Sequence, residues 1–225
     1  MLKKFFVFIT VLALLSSCNE KFDHLKFEKQ VAYEVFPQLM DSLHRDNRIP
    51  IPAPSYKTDS LGNRLEYDTI ESQRGWKEFD RLKLEYYQDS VKLVTAISDS
   101  TFLLEGGEKS QLLKFYNLNN SDIDTINTNE KYKIDLDKLN ADNKIKFIYR
   151  SDLPEGREIW RTDYKFYLNS VLSISRIQFD INKKFGVMSI GYSIGILNGI
   201  GCRVFIRKNN EGDWVIDKIQ TTTIS

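Results

Sequence analysis

The strongest catalytic pattern in the sequence is the pentapeptide 191–195, which matches G-x-S-x-G and places Ser193 at its centre. In α/β-hydrolases this pattern forms a strand–turn–helix junction, and its serine works with a histidine that follows it in the chain. Ser193 instead lies in an alternating apolar and polar stretch, and His24 and His44, the two histidines, both precede it. We therefore do not assign Ser193 as a nucleophile.

Acidic and aromatic residues in the second half of the chain suggest another chemistry. Asp152, Glu155 and Glu158 could supply the paired carboxylates of a glycoside hydrolase, and nearby rings could stack on sugars. Those rings belong to Trp160, Tyr164, Phe166 and Tyr167. Nothing in the spacing fixes the distance between the carboxylates, so surface charge and core packing are the favoured interpretations. No catalytic residue is assigned.

Two loops contain ligand-like residues without a complete binding pattern. An oxygen-rich stretch lacks the glycine and the distal glutamate of an EF-hand, and we interpret it as a solvated loop. It contains Asp122, Asp124, Asn127, Asn129 and Glu130. Residues 106–110 have the wrong spacing for a phosphate-binding loop. We predict no metal and no cofactor.

The first eighteen residues contain the clearest targeting signal. Lys3 and Lys4 precede an apolar run, 5–15, which is too short to span a bilayer as a helix and suits the core of a signal peptide. The following Leu15-Ser16-Ser17-Cys18 resembles the bacterial lipobox, whose invariant cysteine marks the cleavage site. This resemblance implies removal of residues 1–17 and acylation of Cys18. An ordinary secretory signal is the alternative.

An acylated Cys18 would hold the chain on a membrane. Each buried methylene contributes about 0.8 kcal/mol, and stable attachment takes more than one acyl chain, which the triacylated cysteine implied by the lipobox provides. Asn19, not aspartate, follows Cys18, and the best-known sorting rule then favours the outer membrane. Periplasmic and external faces stay open as alternatives. The expected organisation is a signal peptide at 1–17, a tether at 18–26 and one domain at 27–225.

Composition narrows the function further. The formal net charge is +1, so no strong field steers nucleic acid to the protein, while 41% apolar residues suffice for a core. With Cys18 committed to lipid, Cys202 has no internal disulfide partner, and one thiol with two histidines cannot complete a structural zinc site. The apolar strand pattern around Cys202 predicts a buried side chain.

Periodicity places helices early and strands late. It predicts an α+β fold in which N-terminal helices pack on a curved antiparallel β-sheet formed mainly by the C-terminal half. Helices are predicted at 27–43, 70–88 and 109–117. Pro37 should kink the first helix or split it near Val35, and His44 ends this segment, where a cation would suit the helix C-terminus.

Strand patterns fall in six places. They lie at 90–98, 101–104, 131–136, 144–149 and 159–167 and across 172–219. The last stretch should be antiparallel, because its connections are too short for parallel crossovers. Its glycines predict bulges and strong curvature, with a ligand pressed against them as the alternative. The Pro-rich segment 49–54 should cross the surface in an extended form.

A wider resemblance combines several of these features. The lipobox, the helix end Asp41-Ser42-Leu43-His44, the Pro-rich segment, and the C-terminal 175–179, 199–201 and 212–214 patterns are similar to uncharacterised lipoproteins of Gram-negative gut-type bacteria. This resemblance implies no activity and no site residues.

The expected function is therefore a non-enzymatic envelope lipoprotein that binds a ligand or supports an assembly. Its expected partners are the membrane and an envelope protein or glycan, and not nucleic acid. Two alternatives stay open: a carboxylate-dependent hydrolase of glycan or peptide, and a cone-shaped α+β domain that encloses a small ligand.

Overall fold

A computed structural model describes residues 22–104, 106–125 and 130–225. The predicted signal peptide and Cys18 lie outside these residues, as do Asn127 and Asn129. The described chain forms three α-helices, α1 (His24–Leu43), α2 (Thr69–Gln88) and α3 (Glu108–Tyr116). Its strands are β1 (Tyr56–Thr58), β2 (Arg64–Tyr67), β3 (Leu93–Ile97), β4 (Ile145–Tyr149), β5 (Tyr167–Ile174), β6 (Gln178–Phe179), β7 (Phe185–Gly195), β8 (Asn198–Lys208) and β9 (Trp214–Ile224).

The α+β class predicted from the sequence is confirmed. Strands β1 and β2 form a separate hairpin, and the other seven form one sheet in the order β4-β3-β5-β7-β8-β9, with β6 also paired to β7. From β5 to β9 every pairing is antiparallel, as predicted. The sheet as a whole is mixed, however, because β3 runs parallel to both β4 and β5. The long connections 98–144 and 150–166 make these parallel crossovers feasible.

Three of the predicted strands do not form. Segments 101–104 and 131–136 contribute only isolated bridges, Phe102 with Ser175 and Lys133 with Ser100. Residues 159–167 begin inside the 3-10 helix Gly156–Trp160 and reach the sheet only at Tyr167. Alternating apolar residues in these segments reflect burial against the core without an extended ladder of backbone hydrogen bonds.

Helix α1 packs along one face of the sheet. Asp23 caps its N-terminus by accepting a hydrogen bond from the Lys26 amide, so the helix begins within the segment predicted to be a tether. The helix continues through Pro37, and the split predicted near Val35 does not occur. Val35 and Phe36 are completely or almost completely buried, and we attribute this continuity to their packing, which offsets the backbone hydrogen bond that proline cannot donate.

The sheet has apolar packing on both faces. The main core lies between α1 and the sheet and includes Leu39, Leu172 and Val204. On the other face, Leu112 of α3 packs with Val187 and Phe205. This second layer explains why β7 and β8 bury residues on both faces and why α3 is held close to the sheet.

Glycines in β7 and β8 make room for side chains on neighbouring strands. A Cβ at Gly191 would lie 2.7 Å from Ser173 Oγ, and one at Gly199 would lie 2.9 Å from Ser193 Oγ. Register shifts at Gly195 and Gly201 confirm the predicted bulges. Protein side chains therefore occupy the space above these two glycines, where the sequence had left room for a ligand.

A buried ion pair joins α1 to the sheet. Arg176 donates from Nε and Nη2 to the two carboxylate oxygens of Glu28, each at 2.7 Å. Glu28 Oε1 also accepts from the Ile177 amide at 2.8 Å, and the Arg176 guanidinium lies 5.6 Å from the centre of the Tyr132 ring. Both charged side chains are buried, so each depends on the other to remain ionised inside the protein.

We expect Glu28→Gln or Arg176→Met alone to lower the free energy of unfolding by about 3–5 kcal/mol, because each leaves a buried charge uncompensated. The double variant Glu28→Leu with Arg176→Met should recover most of that loss. Urea unfolding followed by circular dichroism measures both effects. As a control, Glu78→Gln removes the exposed ion pair with Arg81 and should lower the free energy of unfolding by under about 1 kcal/mol. A loss that small for Glu28→Gln would contradict the conclusion that Glu28 and Arg176 form a buried, mutually dependent ion pair.

Candidate ligand-binding cleft

The structure does not assemble the serine hydrolase motif. Ser193 lies within β7, opposite Val171 on one side and Gly199 on the other, so it has no strand–turn–helix elbow around it. His24 begins α1 and His44 follows its last residue. Ser193 is a sheet residue whose hydroxyl oxygen lies above Gly199.

The acidic and aromatic cluster is also structural. Asp152, Glu155 and Glu158 are exposed on 3-10 turns, and Glu158 accepts from Arg161 Nη1 at 3.1 Å within its own turn. Rings of Trp160 and Tyr164 pack against the small core of Ala96, Leu153 and Ile159. Core packing, the interpretation favoured from the sequence, therefore accounts for these two rings.

The remaining ligand-like loops are used for local structure. Asp124 forms an ion pair with Lys183, and Asp122 accepts from the Asn119 amide at 2.8 Å. Glu108 is buried on the sheet, where its Oε1 accepts from Ser189 Oγ at 2.8 Å. Within the described ranges, no group of three or more histidine, cysteine or acidic residues is arranged to hold a metal ion. Cys202 is buried, as predicted, and burial raises the pKa of its thiol.

A cleft of about 310 Å³ lies where α1 ends, between α2 and the edge of the sheet. Its volume is at the low end of the range of about 300–1,000 Å³ found for small-molecule sites. Four separate parts of the chain form it: the end of α1 with the following turn, the second half of α2, the start of β3, and the turn before β4. The lining residues are Met40, Asp41, His44, Arg45, Asp46, Ile49, Phe79, Lys83, Tyr87, Leu93, Asp142, Lys144 and Ile145.

The cleft combines apolar and polar linings. Met40, Ile49 and Leu93 are buried residues whose surfaces contribute to the lining, and Phe79 adds an aromatic ring from α2. Exposed charged groups, including Asp41 and Lys83, belong to the same lining. This mixture is typical of sites that hold an apolar body and orient it through a few polar groups.

Ion pairs fix the position of α2 beside the cleft. Arg48 donates to Asp46 and, from Nη1 at 2.6 Å, to Asp89, which follows α2. Asp89 also accepts from Lys144, and these hydrogen bonds, with that from Lys144 the strongest, lower the pKa of Asp89 to about 2. The guanidinium of Arg48 lies 4.7 Å from the centre of the Tyr86 ring. These charges are therefore occupied in joining α2 to the sheet edge.

Among the lining residues, all within the described part of the chain, His44 alone has a buried side-chain polar atom without a hydrogen-bond partner. Asn169 is oriented by two backbone contacts, since its Nδ2 donates to the Arg45 carbonyl at 2.9 Å and its Oδ1 accepts from the Asn47 amide at 3.0 Å. The same Nδ2 lies 3.4 Å from His44 Nδ1. Nδ1 must then be the acceptor, which puts the proton of neutral His44 on Nε2.

The Nε2–H group of His44 is buried and has no hydrogen-bond partner among the described residues. Burial lowers the pKa of His44, an effect that the charges of Asp46 and Asp142 oppose. From the sequence, a cation would suit this helix end, and burial works against such a charge because desolvation disfavours the protonated ring. An unpaired buried donor costs about 1–3 kcal/mol, so an acceptor atom that reached it would gain binding energy.

The carboxylates around the cleft do not form a catalytic pair. Asp46 is paired with Arg48, while Asp142 accepts from the Lys144 amide at 2.7 Å and from the Tyr87 hydroxyl at 3.2 Å. Asp41, which is exposed, is the remaining acid of the lining. General acid–base hydrolysis by carboxylates needs two acids placed for proton transfer on either side of one bond. The arrangement is better suited to binding than to hydrolysis.

Comparison with protein-family models, with curated proteins and with solved structures gave no match for this chain. No helix in the described ranges is both long and apolar enough to cross a membrane. The cleft has only a weak signal in the sequence, because its residues come from four separate segments. Of the lining residues, the sequence analysis had singled out only Asp41 and His44, in the helix end 41–44.

The lowered pKa of His44 predicts a pH-dependent stability. The unfolded chain takes up a proton on this residue near the ordinary histidine pKa of about 6.5, before the folded chain does, so acidification favours unfolding. In a His24→Gln background, where His44 is the only histidine, we expect the free energy of unfolding to fall between about pH 7.5 and pH 5.5. Urea titrations at each pH measure this decline.

Adding His44→Gln to that background should remove the decline over the same pH window. Acidic residues titrate mainly below this window, so they contribute little to the difference between the two proteins. Equal slopes in the two proteins would show that His44 is not held neutral by the fold.

Proposed function

We propose that this protein is a lipid-anchored binding module of the bacterial outer membrane and that the cleft beside α2 holds its ligand. The observation that carries the proposal is the cleft itself, whose partly apolar lining includes His44, a residue with an unpaired buried ring nitrogen. Such a combination favours recognition of a small molecule over contact with a broad protein surface.

The lining indicates the chemistry of the ligand. His44 offers one N–H donor, and Lys83, for which the described residues supply no ion-pair partner, offers a charge on the same cleft. Phe79 and Met40 provide apolar contact. A small organic molecule with an apolar body and a carboxylate or carbonyl oxygen matches these groups, because the oxygen would accept from donors that otherwise lack acceptors.

The proposed anchor and the cleft are at opposite ends of α1. Cys18 precedes the helix by only a few residues, whereas His44 directly follows it. A helix of 20 residues is about 30 Å long. The helix can therefore act as a rigid spacer between an acyl chain at Cys18 and the ligand cleft, and the cleft would remain open to the aqueous side.

The alternatives left open by the sequence have weaker support. A hydrolase needs a second unoccupied carboxylate near Asp41, and the hydrogen bonds of Asp142 and Asp46 argue against one. A ligand enclosed beneath the sheet would have to displace α1, whose Leu39 and Met40 are completely buried there. Ligand binding at the cleft requires neither a second unoccupied carboxylate nor the displacement of α1.

Ligand-detected NMR tests the cleft with phenylacetate, phenylacetamide and benzylamine as probes. We expect saturation transfer to phenylacetate and phenylacetamide and much less to benzylamine, because only the first two present an acceptor oxygen. Phe79→Ala should weaken binding about tenfold, which corresponds to about 1.4 kcal/mol of lost apolar contact. Leu103→Ala removes a half-exposed apolar side chain that is not part of the cleft lining and should leave binding unchanged. Equal binding by both variants would place the ligand elsewhere.

The anchor is tested separately by cell fractionation. Cys18→Ala should move the full chain from the membrane fraction to the soluble fraction, because the acyl chains supply the membrane affinity. Cys202→Ala removes the other thiol, which is buried in the sheet, and should leave the protein with the membranes. A Cys18→Ala protein that stays membrane-bound would contradict the lipid anchor while leaving the cleft proposal intact.

A further inference from the structure

Helix α2 packs on the rest of the protein through one narrow face. Ser72 is buried, and Gly75, Phe79, Leu82 and Tyr86 are partly buried. Their spacing of three and four residues places them in one row of the helix. The Pro-rich segment crosses this row: a Cβ at Gly75 would lie 3.2 Å from Pro52 Cβ, and the Ser55 amide donates to Ser72 Oγ at 3.2 Å.

A second face of α2 is occupied by ion pairs within the helix. Glu71 pairs with Arg74, and Arg81 pairs with both Glu78 and Glu85. All five side chains are exposed, and they form a solvated ridge. This face has no unpaired charge to offer a partner.

The third face of α2 is an exposed heptad row, and among the described residues only its last member, Tyr87, bonds the rest of the chain, through its hydroxyl to Asp142 at 3.2 Å. Its positions, again spaced by three and four residues, are Ile70, Gln73, Lys77, Asp80, Leu84 and Tyr87. The apolar members are strongly exposed, with Ile70 at 68%, Leu84 at 67% and Tyr87 at 61%. At about 100° per residue, the centre of this row is about 150° from the face that packs on the body. A partner on this row would therefore approach from the side of the helix that points away from its packed face.

We propose that this row pairs with the same row of a second copy of the chain, in an antiparallel helix pair. In the antiparallel register that places Ile70 against Tyr87 of the other copy, Gln73 faces Leu84 and Lys77 faces Asp80. The two-fold symmetry repeats each contact, so the pairing is self-complementary. Both central layers then carry opposite charges, the next layer on each side pairs Gln73 with the apolar Leu84, and Ile70 and Tyr87 form the end layers.

The charges select this direction of pairing. A parallel pair would place Lys77 against Lys77 and Asp80 against Asp80, and like charges at core positions of a helix pair are destabilising. The contact extends over 18 residues of helix, about 27 Å. It is smaller than a standard stable interface, so the expected association is weak and reversible, and favoured where copies are concentrated on one membrane.

Disulfide trapping tests the pairing with the full chain in intact expressing cells. Two copies with different tags are co-expressed, one with Gln73→Cys and the other with Leu84→Cys. An antiparallel pair brings these positions together, and a mixed dimer should form on mild oxidation. Each variant expressed alone should give little dimer, because identical positions would be about 16 Å apart along the axis, well beyond disulfide reach.

Charge reversal within the same two-tag system tests the central layers. Lys77→Asp or Asp80→Lys alone creates two like-charge layers and should reduce the mixed dimer at least about tenfold. Combining Lys77→Asp with Asp80→Lys restores opposite charges and should restore the dimer. Glu85→Lys reverses a charge on the ion-paired ridge and should leave trapping unchanged.

Circular dichroism of each purified variant establishes that it is folded. Absence of the mixed dimer in folded variants would overturn the proposal, as would dimers formed by Gln73→Cys alone, which indicate parallel pairing. A crosslinked product of another mass would also overturn it, because a different protein would then cover this face. A mixed dimer that is insensitive to both single charge reversals would equally contradict it.

Discussion

The ion pair between Glu28 and Arg176 is the constraint on which the rest of the structure depends. It joins the first turns of α1 to the segment between β5 and β6, and it is buried on both sides. Because Glu28 also accepts from the Ile177 backbone, the pair fixes the helix in rotation and along its axis. The row from Val31 to Met40 then falls on the sheet, and the end of the helix reaches the place where the cleft forms.

Helix α1 has a second role at the far edge of the sheet. Glu34 Oε1 accepts from the Trp214 amide at 2.6 Å, and Gln38 bonds both the Ile216 amide and the Trp214 carbonyl. These side chains satisfy backbone groups that an edge strand would otherwise present to water or to another chain. The same helix thus packs the core, covers the start of β9 and ends at the cleft, so any change in its register would alter all three.

The parts of the fold that could be predicted from sequence are those with local signals. Alternation in β7 and β8, the glycine-containing bulges and the boundaries of α2 and α3 follow from residues close together in the chain. The parallel pairing of β3 with β4 and β5 could not be predicted, because β3 is buried on both faces and its partners are distant. Tyr132 and Ile134 show the opposite error, since their alternation reflects burial and only isolated bridges form near them.

The candidate site was harder to predict because its residues come from segments that are distant in the sequence. Motifs such as that around Ser193 are short and local, and the fold uses them for packing. The cleft depends on Arg48, Asp89 and Lys144 meeting from three segments, an arrangement that no spacing in the sequence encodes. The lowered pKa of His44 depends on its burial, which is a tertiary property.

The mixed topology of the sheet has a consequence for how the protein folds. Strands β7, β8 and β9 are joined by short hairpins and can pair early, whereas β4 joins β3 only after closure of the loop 98–144. Loop closure costs entropy before any contact compensates for it, so the parallel strands should dock late. The cleft borders β3 and the turn before β4, and it should therefore be the last region to take shape during folding and the first to open when the native state fluctuates.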